Sequence, residues 1–242
     1  MSITGWLTDP ANWSGPDGIP TQVLAHLELS AVALAIALVL GVPAGLLIGH
    51  TGRGSVLVGG LANALRALPT LGVLMIAVLL ITPRITSDLA FTIPSLLVLV
   101  LLAVPPILTN TYAGVFAVDA AAVDAARGMG LRRRDILLRV QLPCALPLML
   151  SGIRAAALQI IATATVAAYV SLGGLGRYLI DGLAQNDYAQ MAGGALLVAA
   201  LALVVELVLL GLARLAVSPG LTRRVSPRSP RSLPATPKAP AQ

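Results

Sequence analysis

Hydrophobic residues along the chain fall into five long runs, at about 21–50, 55–81, 93–115, 143–171 and 190–217, divided by shorter polar segments. Each run is long enough, at about 1.5 Å per helical residue, to cross a hydrocarbon core of about 30 Å. Most exceed that minimum, which implies tilt, kinks or helical extensions beyond the bilayer. Pro43, Pro69, Pro105 and Pro106 lie within runs. Each removes a backbone donor and predicts a kink that neighbouring helices must repair. Gly41 and Gly45 form a small-xxx-small pair, a spacing that lets helices approach closely. A sixth span would require the second run to fold as a hairpin at Pro69, and each half would be too short to cross alone. No internal repeat of fixed period is present. The pattern predicts an all-α integral membrane protein with about five transmembrane helices, its membrane domain spanning 21–217.

Composition supports this. Charged residues make up 11% of the chain, against about 25% in soluble domains. Aromatics, at 3%, are too scarce to interleave with basic residues as a nucleic-acid platform requires. Cys144 stands alone, forms no internal disulfide, fits no zinc pattern, and reads as a small hydrophobe. His26 and His50 lie at opposite ends of one run, so neither belongs to a catalytic or metal-ligand cluster. The one lysine, Lys238, follows no glycine-rich phosphate loop. This chain is therefore not expected to be an enzyme: it hydrolyses no ATP through such a motif, and no cofactor is expected in it.

Charge distribution sets an orientation, because cytoplasmic loops retain an excess of Lys and Arg. Arg127, Arg132, Arg133, Arg134 and Arg139 fall between runs three and four, and Arg223, Arg224, Arg228 and Arg231 follow run five. Arg84, Arg177, Asp181 and Asp187 lie on the opposite side. Residues 1–20 carry Asp9 and Asp17, no Lys or Arg, and no apolar stretch. They read as an extracytoplasmic segment and not a signal peptide. The N-terminus is expected outside and the C-terminus inside, which suits an odd number of spans. Residues 218–242, rich in Pro, Ser and Arg, are expected to form a disordered cytoplasmic tail.

One polar segment, AVDAAAVDAARGMGLRRRDILLRVQLP at 117–143, has helical spacing broken at Gly128-Met129-Gly130. Ala121, Ala125 and Ala126 offer a small, smooth face. Glycine at the break permits the positive φ that a tight helix–helix turn needs. A second short helix is predicted at 132–140, with Leu142 and Pro143 opening the next span. A rigid helix lying on the cytoplasmic face could transmit a partner's movement into the attached spans.

This segment resembles the docking loop in permease subunits of ABC importers, whose pattern is Glu-Ala-Ala, three residues, Gly, nine residues, Ile, one residue, Leu-Pro. Asp124, Ala125, Ala126, Gly130, Val140, Leu142 and Pro143 fall in register, with Asp124 replacing Glu and Val140 replacing Ile. Three further stretches resemble the branch that carries glycine betaine, choline, carnitine and proline. They are ALRALPTLGVL at 64–74, PPILTNTYAGV at 105–115 and GIRAAALQIIATATVAAYVSLGGLG at 152–176. The resemblance implies a type I ABC importer permease fold with a cytoplasmic coupling helix. ATPase docking would fall on Asp124, Ala125, Ala126, Gly128, Gly130 and Leu131. Implied partners are ABC ATPase subunits, a second permease, identical or paralogous, and an extracytoplasmic solute-binding protein. An importer for methionine or another amino acid is the alternative. Gly173–Gly176 would form a turn or gate on the outer side.

Arg66, Arg154 and Glu206 lie within runs, each about 15 Å from the cytoplasmic end. A charge at that depth costs several kcal/mol unless paired or hydrated. Glu206 is therefore expected to pair with Arg66 or Arg154, as a tie between helices or as part of a path or gate. Asn110 and Thr111 either line that path or satisfy carbonyls freed by Pro105 and Pro106. Trp6, Trp13, Tyr112 and Tyr169 are too scattered for a quaternary-ammonium cage, which places selectivity mostly in the binding protein.

Overall fold

The structure, a computed structural model, describes residues 2–54, 59–60, 64–65, 67–170 and 172–217, with only the backbone at 88. Arg66, much of the first half of the second run and the tail at 218–242 lie outside the described residues. Every described element is helical. A short amphipathic helix, α1 (Ile3–Thr8), precedes the first span, α2 (Ile19–Thr51). Then come α3 (Thr70–Ile81), α4 (Thr92–Phe116), α5 (Ala120–Gly128), α6 (Arg133–Ile136) and α7 (Leu142–Ala164). The chain ends its described part with α8 (Gly176–Gln185) and α9 (Tyr188–Ala216).

Among the described residues four helical stretches are long and apolar enough to cross a membrane: Ile19–Thr51, Thr92–Phe116, Arg133–Val170 and Tyr188–Ala216. The second run differs from its expectation. Pro69 does not kink a continuous helix; it caps the start of α3, whose 12 residues rise about 18 Å. The reason is local. A proline biases the residue before it away from helical ψ, so a helix starts more readily after Pro69 than through it.

Small residues decide the packing. On α2, Ala33, Ala37, Gly41, Gly45 and Gly49 recur every four residues and are buried, which aligns them on one face. A Cβ on Gly41, Gly45 or Gly49 would lie 2.9, 2.6 or 2.7 Å from Ile107, Thr111 or Val115 of α4. Gly114 of α4 meets Ala145 of α7, and Gly152 of α7 meets Pro106 of α4. Lipid tails are as apolar as leucine, so helices in a bilayer associate through such close van der Waals contact. The central core joins Ala33, Ala37, Leu99, Ala103, Ile107, Ala156, Ile160 and Ala164 from α2, α4 and α7. By contrast α9 buries only Ala189, Gly193 and Gly194.

The N-terminal segment is tied to α8 and to the first turns of α9. Trp6 is buried over Gly193, where a Cβ would lie 2.3 Å from the indole, and packs edge-on to Tyr178 at 5.1 Å. The Tyr178 hydroxyl donates to the Asp17 carbonyl at 2.7 Å. Burial, and secondarily the charge of Asp17, push its pKa up to about 12, which keeps it a donor.

Candidate functional site

The polar elbow between α4 and α7 is shaped by its own sequence. Asp119 caps α5, its Oδ1 accepting from the Ala121 N–H at 2.9 Å, and a carboxylate there also suits the helix dipole. At the other end the Gly130 N–H donates to Arg127 O at 2.9 Å and the Leu131 N–H to Ala126 O at 3.2 Å. Gly130 has φ +82°, and nothing lies within 4 Å of where its Cβ would stand. It is needed for conformation and not for space. Gly128 is simply the last helical residue.

The predicted smooth alanine face is split. Ala121 and Ala125 are exposed beside Asp124, Arg127, Gly128 and Gly130. Ala126 is 1% exposed and turns inward, with Leu131 half-buried. Asp124 and Arg127 form an exposed pair at 3.2 Å, which solvent screens. Met129 stands at the tip, 74% exposed; sequence reading did not single it out.

The segment after the elbow departs from expectation. In place of a separate helix at 132–140, α6 runs through a π turn (Leu137–Gln141) directly into α7. The Leu142 N–H bonds to Leu137 O, five residues back. Pro143 has no N–H to offer Arg139 O, and a wider turn just before it accommodates that loss. The result is one helical stretch from Arg133 to Val170. It is fastened at its foot by buried Ile136 and by a cluster of Val115, Ala145 and Met149 with Val42, Leu46, Leu137 and Leu142. His50, at the end of α2, places Nδ1 2.6 Å from Oε1 of Gln141, inside the π turn.

At the opposite end α2 presents Gln22, His26 and Ser30, all buried. Gln22 Oε1 accepts from the Gly174 N–H at 2.6 Å, and its Nε2 donates to Pro16 O at 3.2 Å. His26 Nε2 lies 3.0 Å from Ile161 O. That carbonyl is available because α7 gives way to a 3-10 segment (Thr165–Val170) and the Thr165 N–H turns to Thr163 O. Gly174 has φ +103°, and a Cβ on Gly176 would lie 2.2 Å from Thr165 O. The glycine-rich stretch therefore makes a turn folded hard against the end of α7.

Of the charges within spans, Arg154 and Glu206 meet. The guanidinium donates twice, from Nη2 to Oε1 and from Nε to Oε2 at 3.3 Å, and ties α7 to α9. Asn110 donates to Pro106 O at 2.8 Å, and Thr109, which sequence reading overlooked, donates to Pro105 O at 2.7 Å. These are the prolines' own carbonyls; those deprived of a helical donor belong to Leu101 and Leu102. Thr111 is fully buried against Gly45, and among the described residues its hydroxyl has no partner. An N-cap rule identifies Asp119 from sequence. Nothing local announces the His50–Gln141 contact across 91 positions. Among the described residues no three His, Cys, Asp or Glu side chains converge as metal ligands would.

Residues 23–223 match the family of binding-protein-dependent transport system inner membrane components. The carnitine transport permease protein OpuCB of Listeria monocytogenes is 34% identical over 78% of this chain and 83% of its own length. The choline transport system permease protein OpuBD of Bacillus subtilis is 32% identical over 86% and 88%. The osmoprotectant import permease protein OsmY of Salmonella typhimurium is 33% identical over 76% of each. Among solved structures, an inward-facing form of the MetNI methionine ABC transporter superposes with a TM-score of 0.72 at 20% identity, covering 83% of this chain and 96% of that one.

Proposed function

This chain belongs to the binding-protein-dependent transport system inner membrane component family, and on that premise we propose that it carries osmoprotectants across the membrane as one permease of an ABC importer. The substrate class follows the three relatives, whose names record carnitine, choline and osmoprotectants. The likeness to a methionine importer, at 20% identity, is one of fold. The mechanical reading rests on one observation: a single helical stretch, Arg133–Val170, begins at the exposed elbow and ends at the glycine turn.

In this reading α5 seats in a cleft of an ATPase subunit, with Asp124, Ala125, Gly128, Met129 and Gly130 at the contact. Ala126, Leu131 and Ile136 hold the elbow to its own spans, so a displacement of α5 moves α7 as a lever. ATP hydrolysis resides on that partner. A second permease faces this one across the path, and an extracytoplasmic solute-binding protein delivers the solute. The path runs along the exposed face of α7 at Ala155 and Gln159, with Asn110 nearby through Gly152. Arg154 and Glu206 tie this face to α9, and Arg66 joins them as a candidate from sequence.

Vesicles reconstituted with the chain and its co-purified partners should take up glycine betaine, choline, carnitine or proline when ATP is supplied. Uptake of methionine alone, or uptake driven by an ion gradient without ATP, would sink the assignment. The orientation has its own check. In an Arg134→Cys, Cys144→Ser protein, an impermeant maleimide should label residue 134 in inverted vesicles and not in intact cells.

A further inference from the structure

Between α7 and α9, near the end of the bundle that carries the elbow, lies an open groove of about 300 Å³. Pro147 and Leu150 wall it on one side, and Ala213 and Val217 on the other. These sides are apolar. The two ends are not. Arg154 lines one end with its charge already met by Glu206. Arg214 lines the other, exposed, and among the described residues it has neither an ion-pair nor a hydrogen-bond partner. It sits two residues before the end of α9 at Ala216, at the level where a spanning helix leaves the hydrocarbon. From Arg214 to Glu206 is eight residues, or about 12 Å along the helix.

We propose that this groove is a binding site for an anionic phospholipid of the inner leaflet, such as phosphatidylglycerol. The phosphate sits on the Arg214 guanidinium, with the Ser151 hydroxyl within the same groove. The first methylenes of one acyl chain lie along Pro147, Leu150 and Ala213, as far as the Arg154–Glu206 pair. Three observations converge on this occupant. The lining is apolar over the length that faces acyl chains. One cation without a partner among the described residues lies at headgroup depth, where anionic lipid is the abundant counter-charge. The deeper cation is neutralised, so the groove asks for a single negative charge at its mouth and none below. A soluble anion would satisfy Arg214 but leave the apolar walls bare. The choice of leaflet rests on the orientation proposed above; the groove and its chemistry do not.

The site couples lipid to mechanism, because α7 is the helix that continues from the elbow. A lipid seated there braces α7 against α9 beside the Arg154–Glu206 pair.

The test uses the full chain within its assembled importer, in nanodiscs of phosphatidylcholine with or without phosphatidylglycerol, with retained lipid counted by native mass spectrometry. The native assembly should retain phosphatidylglycerol in preference to phosphatidylcholine and melt at a higher temperature when it is present. Arg214→Gln should lower that preference about fivefold, and Arg214→Lys should keep most of it. Ala213→Trp fills the groove while leaving every charge in place, and should lower retention as much as Arg214→Gln. The lipid-facing control Leu203→Trp should change nothing, and added inorganic phosphate should not displace the lipid. Normal retention in Ala213→Trp would overturn the site, because diffuse attraction to the basic tail would then account for the binding. Equal retention of the two lipids by the native assembly would overturn it as well. Either result leaves ATP-driven uptake, and so the importer reading, standing.

Discussion

Gly130 shows how narrowly one residue can be constrained by its backbone alone. Its φ of +82° is left-handed, yet empty space surrounds the missing side chain. Substitution should therefore sort by conformational preference and not by size. Gly130→Val places a β-branched residue in a region that disfavours it by about 1–2 kcal/mol, whereas asparagine enters that region far more readily. Gly130→Val should insert normally but lose most uptake, while Gly130→Asn should keep it. Transport assays at matched membrane levels decide this. Equal activity of the two variants would mean the turn does not shape the proposed docking contact. Gly45 is the opposite case: its constraint is the Thr111 side chain 2.6 Å from any Cβ, and its backbone is ordinary helix.

At the scale of elements, the π turn joins an amphipathic elbow to a membrane helix without a break. A proline at position 143 predicts a boundary, because its missing N–H and fixed φ suit a helix start. Chain geometry offers a second solution, a widened turn that carries the helix past the proline. The structure takes it, with the Leu142 N–H reaching Leu137 O. The turn is held from outside by His50 on Gln141. Gln141→Leu removes that contact and leaves His50 half-buried without it, at a cost of about 1–3 kcal/mol. The variant should assemble with its partners, and the proposed ATPase partner should still hydrolyse ATP, yet less solute should move per ATP. Uptake and hydrolysis measured on one preparation give the ratio; an unchanged ratio would show that the His50 contact carries no coupling.

Across the whole molecule burial is lopsided. The α2, α4 and α7 helices share one core, while α9 buries only Ala189, Gly193 and Gly194, lays Leu197, Val198 and Leu201 against the Trp6–Tyr178 cluster, and meets α7 through the Arg154–Glu206 pair. That pair is the one polar tie between α7 and α9 among the described residues. Breaking half of it should be worse than removing it whole, since a lone charge in an apolar setting is the costly state. Glu206→Gln is expected to lower thermal stability markedly. Arg154→Met with Glu206→Gln should recover much of the loss, and a double-mutant cycle measures the coupling. If the double variant is stable and transports normally, the pair is a structural tie. If it is stable and inactive, the charges belong to the path.

Much was legible in the sequence because it depended on neighbours along the chain. Apolar runs, the polar elbow, the Asp119 cap and the positive φ after Met129 all follow from contiguous backbone rules. Even the depth of Glu206, and hence its need for a partner, is a matter of counting residues. The tertiary structure decided that Arg154 meets Glu206, that Pro69 starts a helix, that Ala126 turns inward while Ala125 does not, and that Gln22 meets Gly174 across 152 positions. Those outcomes depend on which helix faces lie against each other. Periodicity marks a face as small or apolar, but in a membrane most faces are apolar, so only the packed arrangement distinguishes the one that meets protein from the one that meets lipid.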